Sequence, residues 1–309
     1  MDNIYFYLPG MAETFELNCM LLARMYYEPD HFYPGVRIGA IFGAFPGCIW
    51  NGGRYLAGTV GEAIMDKAVE YFNAAGIPVR WTWTNPMLNE EDLKDKLCNR
   101  LTKKHENGFN EILVNNDLTE TYFRKAFPTY PLISSTTKRI TSIEALNDEL
   151  SKDYKLVVVD YDFNNNWELL NQIQQPQKCE LLINPICNPR CPYRKRHYEI
   201  IGSMQKNDYT NRDSVVEDCM AQGRFIHEVK KLPTFISVED LYNKYVPAGF
   251  RHFKIEGRGT CPLKPMEWYL YYLVKPEYQE EERSWLQSGI EGTWLNPNIP
   301  VHIEEPDIS

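Results

Sequence analysis

No run of about 18 uncharged apolar residues occurs anywhere in the chain, which excludes a hydrophobic membrane-spanning helix. No long basic block occurs either, and 33 basic against 42 acidic residues leave a net charge of -9. That balance argues against a nucleic-acid coat or a membrane-surface protein, although a local basic patch survives at residues 194–196. The opening MDNIYFYLPGMAE lacks a basic segment followed by an apolar core, so no signal peptide is expected and the expected compartment is cytoplasmic. A G-x-G-x-x-G turn is missing after the first apolar strand, which removes the signature of a dinucleotide fold. H-E-x-x-H, a Walker loop and a Ser–His–Asp pattern are missing too.

What is there begins with enough apolar material for a large core, 43% of 309 residues. Apolar strands alternate with helical stretches along most of the chain. Strands are expected at residues 4–8, 37–43, 78–84, 111–115, 131–135, 156–161, 180–184 and 251–256. Trp81 and Trp83 fall on one face of the third, with Arg80, Thr82 and Thr84 on the other. Thr59 with Glu62 has the capping-box spacing, Asn89 and Ser142 are further expected caps, and Gly76 is an expected helix stop. Polar and glycine-rich residues sit just after the strands: 51–54, 84–85, 115–117, 134–137, 160–162, 184–191 and 256–258. A (β/α)8 barrel collects such loops at one rim, where barrel active sites lie. The expected organisation is a TIM-like barrel over 1–278, with a polar insert at 192–236 between strands seven and eight. A tail over 279–309 then packs on the barrel.

Eight cysteines in a large chain without a secretion signal read as reduced thiols or metal ligands rather than as a disulfide framework. Cys19 and Cys98 fall in helical stretches and read as packing, while Cys179 is open. The sharpest signal is the stretch LLINPICNPRCPYRKRHY at 181–198. Pro185 ends a strand there, and Cys187 and Cys191 follow at C-x3-C spacing among Arg190, Arg194, Lys195 and Arg196. Cationic neighbours lower thiolate pKa values and offset the charge of an iron–sulfur cluster. Position 194 is Arg, so the C-x3-C-x-x-C of radical chemistry with S-adenosylmethionine is absent. Cys219 is the first choice for a third ligand, and Cys48 or Cys261, both after strands, for the fourth. Zinc is the rival occupant, because four thiolates suit it equally.

Lys254, Glu256 and Arg258 alternate onto one face of the last strand. They read either as an internal ion pair closing the barrel or as a substrate site in which Arg258 holds a carboxylate or phosphate. Asn51-Gly52-Gly53-Arg54 is either a tight turn or a loop where backbone approaches a ligand, with Arg54 a second anion clamp. His197 is a structural donor or an acid–base group, and Arg194 stands beside it. Asp160 and Asp162 are turn residues or substrate contacts.

Three segments carry a resemblance: INPICNPRCPYRKRHY, TFISVEDLYNKYVPAGFRHFKIEGR and GAIFGAFPGCIWNGGR. Together they resemble the collagenase-like peptidase family, peptidase U-thirty-two, and its iron–sulfur relatives, with FKIEGR at 253–258 the most specific piece. The resemblance implies a TIM-like barrel that in several branches binds a [4Fe-4S] cluster through four cysteines. Those branches hydroxylate ubiquinone precursors or RNA bases without oxygen. An early cysteine contributes in them, which selects Cys48, so the expected ligand set is Cys187, Cys191, Cys219 and Cys48. The H-G-A-x-C stretch of the peptidases is missing here. The resulting expectation is an iron–sulfur barrel enzyme with redox or hydroxylation chemistry on a small or nucleotide-like substrate. Arg258, Glu256, His197 and Arg194 would be its catalytic groups, and Arg54, Asn51 and Lys254 its substrate contacts. Two alternatives stand beside it. One is a non-catalytic, metal-stabilised barrel that meets a protein partner through the aromatic-bearing tail at 269–294; the other is a peptidase-like hydrolase.

Overall fold

Strand order follows chain order around a closed barrel, each strand parallel to the one before it. The computed structural model describes residues 3–210, 224–258 and 261–294, so Cys219 and residues 295–309 of the expected tail lie outside the described residues. The strands are β1 (Ile4–Pro9), β2 (Val36–Gly43), β3 (Val79–Trp81), β4 (Glu111–Val114), β5 (Leu132–Ser134), β6 (Leu156–Val159), β7 (Cys179–Leu182) and β8 (His252–Lys254). Closure is made by β8 against β1, with Tyr5 opposite His252 and Tyr7 opposite Lys254. The (β/α)8 expectation is therefore met.

The helices outside the barrel are α1 (Phe15–Tyr27), α2 (Glu62–Ala74), α3 (Lys96–Lys104), α4 (Asp117–Ala126), α5 (Ile143–Ser151) and the single turn α6 (Trp167–Leu170). They continue as α7 (Arg194–Gln205), α8 (Ile226–Val229), α9 (Val238–Asp240), α10 (Leu263–Leu273) and α11 (Gln279–Trp294). Among the described residues, no helix is long and apolar enough to cross a membrane.

Strand alternation divides the core in two. Tyr7, Phe42, Leu113, Ile133 and Val158 fill the barrel interior. The other face of each strand meets the helices. Trp81 and Trp83 stack there at 5.0 Å, and the Trp83 indole donates to Thr102 Oγ1 of α3 at 3.0 Å. Each such buried aromatic contributes on the order of 1.5–3 kcal/mol.

Two expected caps move. Helix α2 begins at Glu62 behind Gly61, which is extended and offers no side chain, so Thr59 lies too far upstream to cap it. Asn89 instead accepts from the backbone of Glu91 and Asp92 and closes a lone 3-10 turn, while Asp95 accepts from Cys98 N and caps α3. Ser142 caps α5 as expected. The insert is more ordered at its start than its polarity suggests: α7 buries Tyr198, Ile200 and Ile201. Helix α11 is clamped to α1 by the buried Glu282, whose two oxygens share the Arg24 Nε–H at 3.0 and 2.9 Å and which accepts from its NH2 at 2.7 Å.

Candidate active site at the barrel mouth

Charge enters the barrel interior from strands far apart in sequence. Arg80 (β3), Glu111 (β4) and Glu180 (β7) are fully buried and face one another. Arg80 Nε donates to Glu111 Oε2 at 2.6 Å, its NH1 donates to Glu180 Oε2, and Lys155 closes on the other oxygen of Glu111. Its guanidinium also lies 3.9 Å over the Tyr7 ring. Burial raises the cost of every charge here, yet Arg80 keeps Glu180 below the usual carboxylate range. This is the internal ion pairing that charge on barrel strands implied, carried by residues other than Glu256 and Arg258.

Lys254, on β8, sits above that cluster. Its Nζ lies 3.6 Å from Glu180 Oε1, beyond an ordinary hydrogen bond, and 4.0 Å over the Phe42 ring. Burial, with Arg80 and Arg258 adding repulsion, outweighs Glu180 and brings its pKa down to about 7. The amine is therefore divided between its two protonation states near neutrality.

Arg258 is buried where the loop after β8 passes the loop after β2. NH1 donates to Asn51 Oδ1 at 3.0 Å and to Thr82 Oγ1 at 2.9 Å, and NH2 donates to Gly52 O at 2.9 Å. All three acceptors are neutral. Among the described residues no carboxylate lies within ion-pair distance of it, and burial lowers its pKa to about 10, which still leaves it charged at neutral pH. Gly53 makes room for it: a Cβ there would stand 3.0 Å from NH2, on a backbone with φ +76°. Arg54, the second expected clamp, is paired with Glu256. Glu256 in turn accepts from Ile186 N at 3.0 Å, and its backbone exchanges hydrogen bonds with Asn184. That carboxylate thus ties the loops after β2, β7 and β8 together.

The cavity at this rim is lined by Arg54, Lys254, Glu256 and Arg258 with Phe42, Leu113 and Leu182. Hydroxyl-bearing Thr82, Thr84, Ser135, Thr136, Thr137 and Tyr198 complete it. Its volume is about 80 Å³, room for a few water-sized groups and well short of what a nucleotide needs. The threonines and Ser135 were signalled by polar residues just past strand ends. Tyr198 had no such signal, because it arrives on α7 from the insert. Burial pushes its phenol up to about 12, so it stays a hydrogen-bond donor at neutral pH.

Other expected site residues take different places. Asn51 is fully buried behind the cavity, where it accepts from Thr82 and Arg258 and donates to Arg54 O, so it positions the clamp. Arg194 is 1% exposed, donates to Asp160 at 3.1 Å, Asp162 at 3.2 Å and Asn188 O at 3.0 Å, and covers the Tyr161 ring. It fastens the cysteine loop to the end of β6 and does not line the cavity. His197 does not line it either. Burial and Arg54 lower His197 to about 4, and burial above all lowers His252 to about 4.

Both imidazoles are thus neutral in the folded protein and bind fewer protons than the unfolded chain between about pH 4 and 6.5. Stability is expected to fall as pH drops through that window, by on the order of 3 kcal/mol for each imidazole at most. Urea midpoints across the window check this, and His197→Gln should flatten the slope.

The thiols divide. Cys187 is buried against Tyr161 and Leu182, the latter a cavity wall, and Cys191 lies partly exposed on the same loop. Cys48 is buried elsewhere: the Cys98 thiol hydrogen-bonds with it, and burial pushes Cys98 well up. Cys261 is exposed and Cys179 is a buried strand residue. Among the described residues no three of these sulfurs come within 4.8 Å of one another.

No family model matches the sequence, and no curated protein matches it. Among solved structures, the U32 peptidase Mk0906 superimposes with a TM-score of 0.52 and 11% identity, over 83% of this chain and 93% of that one. At that identity the likeness concerns the backbone alone. The chain has a U32-peptidase-like (β/α)8 barrel fold.

Proposed function

We propose that this barrel is an enzyme that binds a small molecule bearing a carboxylate or phosphate at its mouth, with Arg258 as the anion clamp. One observation carries the reading: a buried guanidinium, held in place by three neutral acceptors, opens on a cavity and has no carboxylate within ion-pair distance among the described residues, Glu13 acting on it only from farther away. A buried charge is costly unless paired, and a ligand anion supplies the pair. Thr82, Thr84 and Ser135 offer hydroxyls for the ligand's remaining oxygens, and Lys254, poised near pH 7, can take up or release a proton. Titration calorimetry of the full-length protein with phosphate, acetate, pyruvate and glycolate tests this. Saturable binding of at least one, stronger at low ionic strength, is the expected result; heat-free titrations with all four would refute it.

A second reading is favoured by the Cys187–Cys191 loop, which adjoins the cavity through Leu182. It is that an iron–sulfur cluster or a zinc ion is held there, with Cys219 among the further ligands. Metal analysis of anaerobically isolated protein decides it: about four irons per chain supports the cluster, stoichiometric zinc a structural ion, and neither metal removes the reading. Peptide hydrolysis is less well supported. The described cavity walls include no cysteine or histidine to pair as nucleophile and base.

A further inference from the structure

We propose that Lys254 is an imine-forming nucleophile, and that the ligand of the barrel mouth is a small 2-oxo acid whose carboxylate rests on Arg258. The proposal rests on the anion-site reading above and adds a reacting group and a substrate class to it.

An amine attacks a carbonyl when it is unprotonated, unencumbered and facing the substrate. Lys254 meets each condition. Among the described residues its Nζ makes no hydrogen bond of ordinary length, and Glu180 Oε1 holds it only as a loose ion pair at 3.6 Å. Glu180 has little need of it, because Arg80 already donates to its other oxygen. The amine lines the cavity, and the Phe42 ring that it covers at 4.0 Å also lies 5.7 Å from the Arg258 guanidinium carbon. Both cations thus line one cavity beside the same ring, and the proposal sets the carboxylate on Arg258 with the adjoining carbonyl of a short ligand towards the amine. The cavity's small volume admits a ligand of that size and excludes a large one. Burial, and after it the repulsion of two neighbouring cations, keeps a useful fraction of the amine neutral at physiological pH.

The step balances without an external oxidant or reductant. The nitrogen lone pair forms a C–N bond with the carbonyl carbon while the C=O π pair moves to oxygen. One proton passes from nitrogen to that oxygen and a second is taken from solvent water, the C–O bond breaks, and water leaves an iminium that keeps its remaining N–H. Among the described residues Glu180 Oε1 accepts no hydrogen bond, and it lies 3.6 Å from the nitrogen, so it stands as counter-charge to the iminium. The iminium then draws electrons from an adjacent C–H or C–C bond, the ordinary use of such an adduct.

The test uses full-length protein, pyruvate and sodium cyanoborohydride, with the modified lysine located by peptide mass spectrometry. Labelling of Lys254 at least about tenfold above every other lysine is expected, increasing from about pH 6 to 8. Acetone, a carbonyl without the carboxylate, should label it at least about tenfold less. Pyruvate that binds by calorimetry but leaves Lys254 unlabelled overturns the nucleophile and leaves the anion site standing. Phosphate binding without any pyruvate binding overturns the substrate class. If no anion binds, both readings fall. Equal labelling by acetone overturns the placement of the carboxylate on Arg258.

Discussion

An Arg80→Met variant is expected to lose about 3–5 kcal/mol of stability, the cost of removing one partner from a buried ion cluster. Arg80 is fully buried and serves two carboxylates at once, Glu111 at 2.6 Å and Glu180. Without it, Glu111 keeps Lys155, which is half-exposed, and Glu180 keeps only the more distant Lys254. Glu180, held down by Arg80 in the parent, would then be driven towards protonation. Methionine retains most of the volume, so a cavity contributes little to the loss. If the cost is that of stranded charge, replacing Arg80, Glu111 and Glu180 together by apolar residues should recover most of it. Urea denaturation of the single and triple variants separates the two cases. A single variant within about 1 kcal/mol of the parent would mean that the cluster contributes little.

The barrel was legible because its strands advertise themselves locally. A four- to eight-residue apolar run, a break, and a helical stretch repeat along the chain, and alternation on β3 put Trp81 and Arg80 on opposite faces. Helix starts were less legible. A capping residue is identified by backbone geometry, and Thr59 and Asn89 sit in the right sequence context at the wrong backbone position. The rim arginines were visible as strand-end residues, but their partners were not. Arg54 meets a carboxylate 202 positions away, and Arg258 is held by Asn51 at a separation of 207. Pairing of that kind is settled by which loops the closed barrel brings together. The same limit applies to Cys48, whose neighbour Cys98 belongs to the helix of the next βα unit, and to Tyr198, which reaches the cavity on a helix masked by polar sequence.

Arg258→Gln is expected to weaken binding of a small anion about a hundredfold or more while changing stability by less than about 1 kcal/mol. The two expectations come from the same geometry. Arg80 and Arg258 are both buried, but Arg80 is paired with two carboxylates at close range, whereas Arg258 feels the Glu13 carboxylate only from beyond ion-pair distance. Burial lowers the pKa of Arg258 to about 10, so the folded state pays to keep it charged, and that cost vanishes with the guanidinium. Against this stands the loss of three hydrogen bonds to neutral acceptors, part of which a glutamine amide can replace. A further consequence reaches Lys254, whose pKa is held down partly by Arg258. In the variant the amine should become more basic, moving the half-maximal pH of any cyanoborohydride labelling upward. Calorimetry, a thermal melt and the labelling profile together form the measurement. An Arg258→Gln protein that melts far below the parent yet binds the anion undiminished would identify this arginine as a brace between the loops after β2 and β8, and the ligand's charge would have to be met by Arg54.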